Sequence, residues 1–480
     1  MQSWRRFSTK RPPDFVQTVD FIVLFGYLTI VSGVALWAGG KQSSAKSYFL
    51  AEQNLPWWMI MLSVVATETS VLTFLSIPGV AYWGDLGFLQ LALGYIAGRW
   101  IVARYLLPLY FEEGLESTYE FLRNRWGQSV QRFGSLVFQV TRILADGVRL
   151  FMTAIPLALI TGWSYGTSIA VIAVFTLVYT ILGGIRSVVW ADSIQFFIYI
   201  IGAFVTMGLL SILVDGGWLT IFAEARAAGK LAIFHGGDPV TQQYHFLTAI
   251  AGGMFLSLAS HGTDHLMVQR LMAARNARDG QKALIGSGFM AFFQFALFLL
   301  VGIGIWVYYK GADINSNEVF STFIINNLPV GLRGLIVAAI FSAAMSTLSS
   351  SINALASSTM TDWIKWLMPD LYTLRTSRLL SLIWTVVLAG GATLFTSMEG
   401  PLVEIALAIA SFTYGGLLGF FLLGRVKAEF PASSVITGFV ASIAVMVFVV
   451  SFTAVAWPWY TLIGLSVMVS TSVTMHLIQK

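Results

Sequence analysis

SVVATETSVLTFLSIPG, residues 63–79, lies inside an apolar run and sets Thr67, Glu68, Thr69, Ser70 and Thr73 within seven positions. A continuous helix turns about 100° per residue and would spread these polar groups over all of its faces. A helix unwound near the bilayer midplane suits them better, because the break frees carbonyls for a cation and points half-helix ends at a charged solute. A polar seam hydrogen-bonded to a neighbouring helix accounts for the same residues, so the two readings stay open here.

The surrounding chain decides that a bilayer is involved. Of 480 residues, 57% are hydrophobic and 11% charged, with a mean hydropathy of +0.77, where soluble domains carry about 25% charged residues. The apolar runs are long enough for helices spanning a core of roughly 30 Å and lack the alternation of barrel strands. The expected fold is therefore an all-α polytopic membrane protein of about 13 transmembrane helices, at 19–39, 56–82, 86–110, 131–163, 167–184, 189–216, 243–272, 281–309, 331–360, 377–397, 402–424, 434–455 and 457–478. The absence of cysteine excludes disulfides and thiolate metal sites. A net charge of +5 without a Lys/Arg stripe fits an anionic membrane face and not nucleic acid.

Loops after odd-numbered spans hold Lys41, Lys46, Arg123, Arg125, Arg132, Arg186, Arg270, Arg275, Arg278, Lys282, Arg375, Arg378, Arg425 and Lys427. The opposite loops hold chiefly Arg226, Lys230 and Lys310. By the positive-inside rule the N-terminus is outside and the C-terminus cytoplasmic, in a cell membrane expected to be a bacterial inner membrane. Arg5, Arg6, Lys10 and Arg11 in the tail oppose this and are outweighed. The tail has no apolar core with a cleavage site, so it is not a signal peptide.

A charge in a span costs at least about 2.5–3.5 kcal/mol and asks for a reason. The charges singled out inside expected spans are Glu68, Arg142, Asp146, Arg149, Asp192, Asp264 and Glu404, with His261 and His265 beside them. AAMSTLSSSINALASSTM (343–360) complements the broken second span with eight Ser/Thr hydroxyls. There Ser346 and Thr347, with Ala343 one turn earlier, offer the small neutral oxygens that a hard cation prefers. Ser349, Ser350, Ser351 and Ser357 read as a small-residue packing face. YTILGGIRSVVWADSIQ (179–195) turns at Gly183-Gly184 and carries Asp192 into the sixth span, as an ion-path carboxylate or an interfacial one. RILADGVRL (142–150) sets Arg142, Asp146 and Arg149 on one helix face, either a carboxylate-binding fork or a structural network.

Taken together these stretches resemble the sodium/solute symporter family. YTILGGIRSVVWADSIQ matches its pattern Y-T-x-x-G-G-x-x-x-V-x-x-T-D-x-x-Q except for Ala191, and GTDHLMVQR (262–270) matches G-T-D-Q-x-x-V-Q-R except for His265. AAMST and TYGGLLGFFLLG (413–424) resemble its ninth and eleventh spans. The resemblance implies a LeuT-type core of two inverted five-helix repeats, spans 2–6 (56–216) and 7–11 (243–424), separated by an external loop at 217–242. The tail 1–18, a first peripheral span and its loop at 19–55, and two peripheral spans at 425–480 complete the chain. It implies a sodium site formed by carbonyls of Ala66 and Thr69, the carbonyl of Ala343, and the hydroxyls of Ser346 and Thr347. Asp192 is the residue with which some members hold a further sodium ion.

The function implied is sodium-coupled import of a small organic solute by alternating access, with Na⁺ as coupling ion. Substrate contacts are expected from Glu68, Ser70, Thr73, Arg142, Asp146, Arg149 and His261, leaning toward an organic acid or other carboxylate-bearing solute. Glu68 is an alternative partner for the second arginine of the fourth span. Rival readings are proton coupling through Glu68 or Asp192, a sugar or neutral solute, a membrane-embedded enzyme using His261, Asp264 and His265, and a transporter-like sensor. A soluble enzyme domain has no room, since stretches outside the spans such as 111–130 and 217–242 are too short to be domains.

Overall fold

The computed structural model describes residues 18–70, 72–395 and 402–479. The basic tail with Arg5, Arg6, Lys10 and Arg11, the span ends at 396–401 and the Glu404 side chain lie outside the described residues. The described chain is helical, with only two isolated bridges, Leu55 to Ala274 and His235 to His245. Within the described residues, each of the thirteen expected ranges overlaps helix over most of its length. Among the described residues, eight helices are long and apolar enough to cross a membrane, nine if one bent pair counts as a single span.

That bent pair contains the opening stretch. Helix Trp57–Glu68 and helix Thr73–Trp83 meet at 65°, so the five polar residues mark a break and not a seam along one straight helix. Thr69 leaves the helical region with φ −75° and ψ 77°, and the Ser70 N–H turns to the Glu68 carbonyl (2.9 Å) in place of that of Ala66. A second break falls between Phe246–Gly262 and His265–Met272, where Asp264 starts the second half by accepting the Leu266 N–H (2.9 Å). The first helix of each expected repeat is thus interrupted.

Helix Tyr165–Leu213 is 49 residues long, or about 74 Å at 1.5 Å per residue, more than two crossings of the bilayer core. It breaks at Gly184, where φ is +58°. A Cβ there would lie 2.3 Å from the Tyr48 carbonyl oxygen, so both backbone and space require glycine.

Burial separates core from periphery. The most apolar stretch of helix Leu332–Leu367 is 94% buried, against 33% for those of Thr18–Gly39, Leu374–Phe395 and Ala432–Phe452. The hydroxyl-rich helix is therefore the axis of the bundle, packed against 165–213, 128–161 and 57–68. Where the 113–126 segment meets the end of this axis, Glu116 Oε2 accepts from Lys365 Nζ (3.0 Å) and Tyr372 OH (2.7 Å). Lys365 also reaches Glu120 (3.3 Å). Asp362, fully buried, accepts from Ser117 Oγ (2.5 Å), Gln131 Nε2 (2.8 Å) and Ser358 Oγ (2.7 Å). Burial pushes the Glu116 carboxyl up, but the Tyr372 and Lys365 hydrogen bonds and the Lys365 and Lys46 charges outweigh it and hold the group below its ordinary value.

Candidate functional site

The break at 69–70 and the middle of helix 332–358 face each other through a continuous polar cluster. Ser346 Oγ donates to Asp192 Oδ1 (2.7 Å), and Ser63 Oγ donates to Asp192 Oδ2 (2.5 Å). Thr67 Oγ1 lies 3.5 Å from Asp192 Oδ2 and 3.1 Å from Ser350 Oγ. Thr347 Oγ1 donates to the Ala343 carbonyl (3.2 Å). A hydroxyl that donates its proton keeps its lone pairs as acceptors, so these contacts orient the Ser346 and Thr347 oxygens without using up their capacity to hold a cation. The Thr69 hydroxyl accepts a hydrogen bond from Gln294 Nε2 (2.5 Å), leaving its carbonyl as the group that the break can offer.

Asp192 is fully buried, which removes the interfacial reading. Arg270, counted with the loop cations from sequence, is also fully buried: its Nη2 lies 3.6 Å from Asp192 Oδ2. It further donates to Ser63 Oγ (3.0 Å), to the Leu266 carbonyl (2.6 Å) and to Ser350 Oγ. The buried charge pair thus joins the helix starting at His265 to 185–213, and both to 57–68 and the axial helix. The packing-face reading of the serines also needs correction. Ser350 binds Arg270, Ser351 donates to Asp146 (2.6 Å) and Ser357 contacts His265 Nε2 (3.1 Å). A buried charge needs such partners in low dielectric, and serine supplies them without bulk.

Next to this cluster lies a cavity of about 50 Å³ that Glu68, Ser70, Thr73 and Arg149 help to line. A smaller space of about 10 Å³ shares Ser70 and Arg149 with it and adds Asp146 and Thr347. Thr347 therefore stands between the polar cluster and the pocket. Arg142 and His261, expected beside these residues, are each 2% exposed and line neither space. Arg142 is held by Asp146 (3.5 Å), Asp264 (3.2 Å) and Tyr414 OH (2.7 Å), and Tyr414 in turn donates to Asp264 (2.6 Å).

Glu68 pairs with Arg99 and not with Arg142 or Arg149. Arg99, absent from the sequence-based set of span charges, is fully buried and also donates to Ser287 Oγ (2.7 Å). Arg149 shares Asp146 through Nη1 (3.2 Å), while its Nε is buried without a hydrogen-bond partner among the described residues. The Arg149 Nε is thus unengaged, on a residue that lines both spaces.

The histidines hold no metal arrangement. His265 Nδ1 accepts from the Thr118 N–H (3.3 Å), which leaves the proton on Nε2 to donate to Ser357. His261 Nδ1 contacts Ser260 Oγ (2.8 Å). Among the described residues no group of three His, Cys, Asp or Glu could hold a metal ion.

The sodium:solute symporter family model matches residues 48–424. The sodium/sialic acid symporter NanT of Aliivibrio fischeri is 30% identical over 460 residues, covering 93% of this chain and 90% of its own. A substrate-bound, outward-open structure of a Na⁺-coupled sialic acid symporter superposes with a TM-score of 0.88 at 26% identity, covering 97% of this chain and 98% of the other. The nucleobase-cation-symport-1 family transporter Mhp1, at 13% identity and a TM-score of 0.59 over 88% of this chain and 92% of its own, shares the fold.

Proposed function

The chain belongs to the sodium:solute symporter family, and from that premise we propose which residues carry its sodium-coupled transport. It is a multi-pass membrane protein with a LeuT-type core that moves a small organic solute with Na⁺. In our reading the ion is held by the carbonyls of Ala66, Thr69 and Ala343 and the hydroxyls of Ser346 and Thr347. The observation that carries this is the turn of the Ser70 N–H away from Ala66, opposite two hydroxyls whose protons are already donated elsewhere. Asp192 belongs to the ion path and orients Ser346 as the partner of a ligand does.

The solute site is the pocket lined by Glu68, Ser70, Thr73 and Arg149, and the solute carries a carboxylate. Arg149 supports this with its unengaged Nε, since a guanidinium fork suits a carboxylate in two parallel hydrogen bonds. Asp146, which lines the adjoining space, holds Arg149, and Arg142 holds Asp146 in turn. Because Thr347 and Ser70 border both the ion cluster and the solute space, ion and solute stabilise one closed arrangement. Each then raises the other's affinity by the same factor, and the sodium gradient drives solute uptake.

The membrane arrangement we propose has thirteen spans with an external N-terminus in a bacterial inner membrane. Its repeats are 56–216 and 243–424, joined by an external loop at 217–242 and flanked by peripheral segments 19–55 and 425–480. The test is a thermal-shift screen of the purified protein, crossing Na⁺ against K⁺ with organic acids, amino acids, sugars and nucleosides. A native-state ligand raises stability by an amount set by its concentration over Kd. A carboxylate-bearing hit that strengthens in Na⁺ supports the reading. Hits that follow pH and ignore Na⁺ overturn the ion site and turn attention to Glu68 and Asp192.

A further inference from the structure

The wall of the pocket opposite in charge to Arg149 has its own chemistry. Glu68 engages Arg99 through Oε2, and its Oε1 makes no hydrogen bond among the described residues. Around it the same pocket is lined by Phe88, Tyr95 and Phe295. These rings pack on one another, Phe88 to Phe295 at 5.0 Å and Tyr95 to Phe295 at 6.2 Å between centroids. All three are buried, at 1%, 4% and 6% exposure.

A carboxylate oxygen in a pocket lined by aromatic rings is a combination that suits a cation, because ring faces carry negative quadrupole density. The same combination is a poor neighbour for a simple anion, whose carboxylate would leave the Glu68 oxygen without a partner. Arg99 does not fill the place. It lies wholly buried behind Glu68, tied to Oε2 and to Ser287.

We propose that the pocket binds a zwitterion, a small solute bearing an ammonium group as well as a carboxylate, with Glu68 and the rings of Phe88, Tyr95 and Phe295 as the ammonium subsite. This rests on the assignment of the pocket as the solute site and of Arg149 as the carboxylate partner. α-Amino acids and betaines have this chemistry; monocarboxylates and hydroxy acids lack the cation.

The experiment compares matched pairs on the purified full-length protein in Na⁺ buffer: L-alanine with L-lactate, L-valine with 2-hydroxy-3-methylbutyrate, and L-phenylalanine with L-phenyllactate, with glycine betaine as a quaternary case. Kd values come from the concentration dependence of the thermal shift. The expected result is that glycine betaine binds, or that at least one amino acid binds about tenfold or more tightly than its hydroxy acid. Glu68→Gln should bring that ratio, or the betaine affinity relative to a carboxylate, down by about tenfold. Phe88→Leu, which removes a ring face and keeps the Glu68–Arg99 pair, should lower the same preference if Glu68→Gln does not fold. A hydroxy acid bound as tightly as its amino acid, with betaine no better than a simple carboxylate, overturns the ammonium subsite and leaves the Arg149 assignment standing. Failure of every carboxylate-bearing compound overturns the Arg149 assignment and this inference with it.

Discussion

Ser346→Ala separates the ion site from mere hydroxyl packing, because the residue has two measurable jobs. Its hydroxyl donates to the fully buried Asp192 carboxylate at 2.7 Å, and a hydrogen bond to a charged group contributes about 1.5–3 kcal/mol. The variant should therefore lose roughly that much stability in K⁺ buffer, where no coupling ion is present. If Ser346 is also one of the oxygen ligands, removing a contact of similar strength raises the apparent Kd for sodium by about 10- to 100-fold, at 1.4 kcal/mol per decade. Thr347→Ala supplies the control. Its hydroxyl donates to the neutral Ala343 carbonyl at 3.2 Å, for which about 0.5–1.5 kcal/mol is expected, so its K⁺ baseline should fall less while its sodium dependence weakens comparably. The assay is the unfolding midpoint as a function of Na⁺ concentration at constant ionic strength, followed by sodium-dependent solute uptake in proteoliposomes. A Ser346→Ala protein with a lowered baseline but an unchanged sodium titration would refute the ion assignment and leave Ser346 as a structural partner of Asp192.

Arg270→Gln and Asp192→Asn should each cost about 3–5 kcal/mol, since each strands one member of a fully buried pair. The double variant should cost less than the two together, and additive losses in denaturation experiments would show that the two groups are not coupled. Gly94→Ala should destabilise by about 1–3 kcal/mol, because its Cβ would meet the Ile250 carbonyl oxygen at 2.3 Å and the Met254 nitrogen at 2.7 Å, backbone atoms that cannot swing away. A wild-type unfolding midpoint would contradict the close approach of helices 88–101 and 246–262. Glu116, held below its ordinary pKa of 4.5 in the folded protein, stabilises above the unfolded carboxylate range and loses that contribution as pH falls through its folded value. The midpoint difference between wild type and Glu116→Gln should accordingly be present at neutral pH and shrink on acidification below about 4.5; a difference that grows with acid would reverse the sign of the linkage.

The extent to which sequence foretold this site follows from how far each residue's reason lies along the chain. The break at 69–70 has a local cause, since five neighbouring polar groups cannot share one buried helix face, and it was one of the two readings that SVVATETSVLTFLSIPG left open. Gly184 was visible for the same reason, as a paired-glycine turn inside an apolar run. Arg99 and Arg270 were not, because a single arginine within or near the end of a span looks like one that reaches the interface until its partner is known. Those partners, Glu68 at 31 residues' separation and Asp192 within another helix, come together only through tertiary packing. The missed pairs also explain the hydroxyl-rich axial helix. Ser346, Ser350 and Ser351 each touch a buried charged group, Asp192, Arg270 and Asp146 respectively, so the polarity concentrated there solvates charges held on other helices. Thr347 is the exception, turned to its own helix and the solute space. The hydroxyls we propose as ion ligands and the charge-solvating ones therefore occupy one helix for one physical reason: small oxygens at the axis of the bundle replace water where three surrounding helices bring a charge inward.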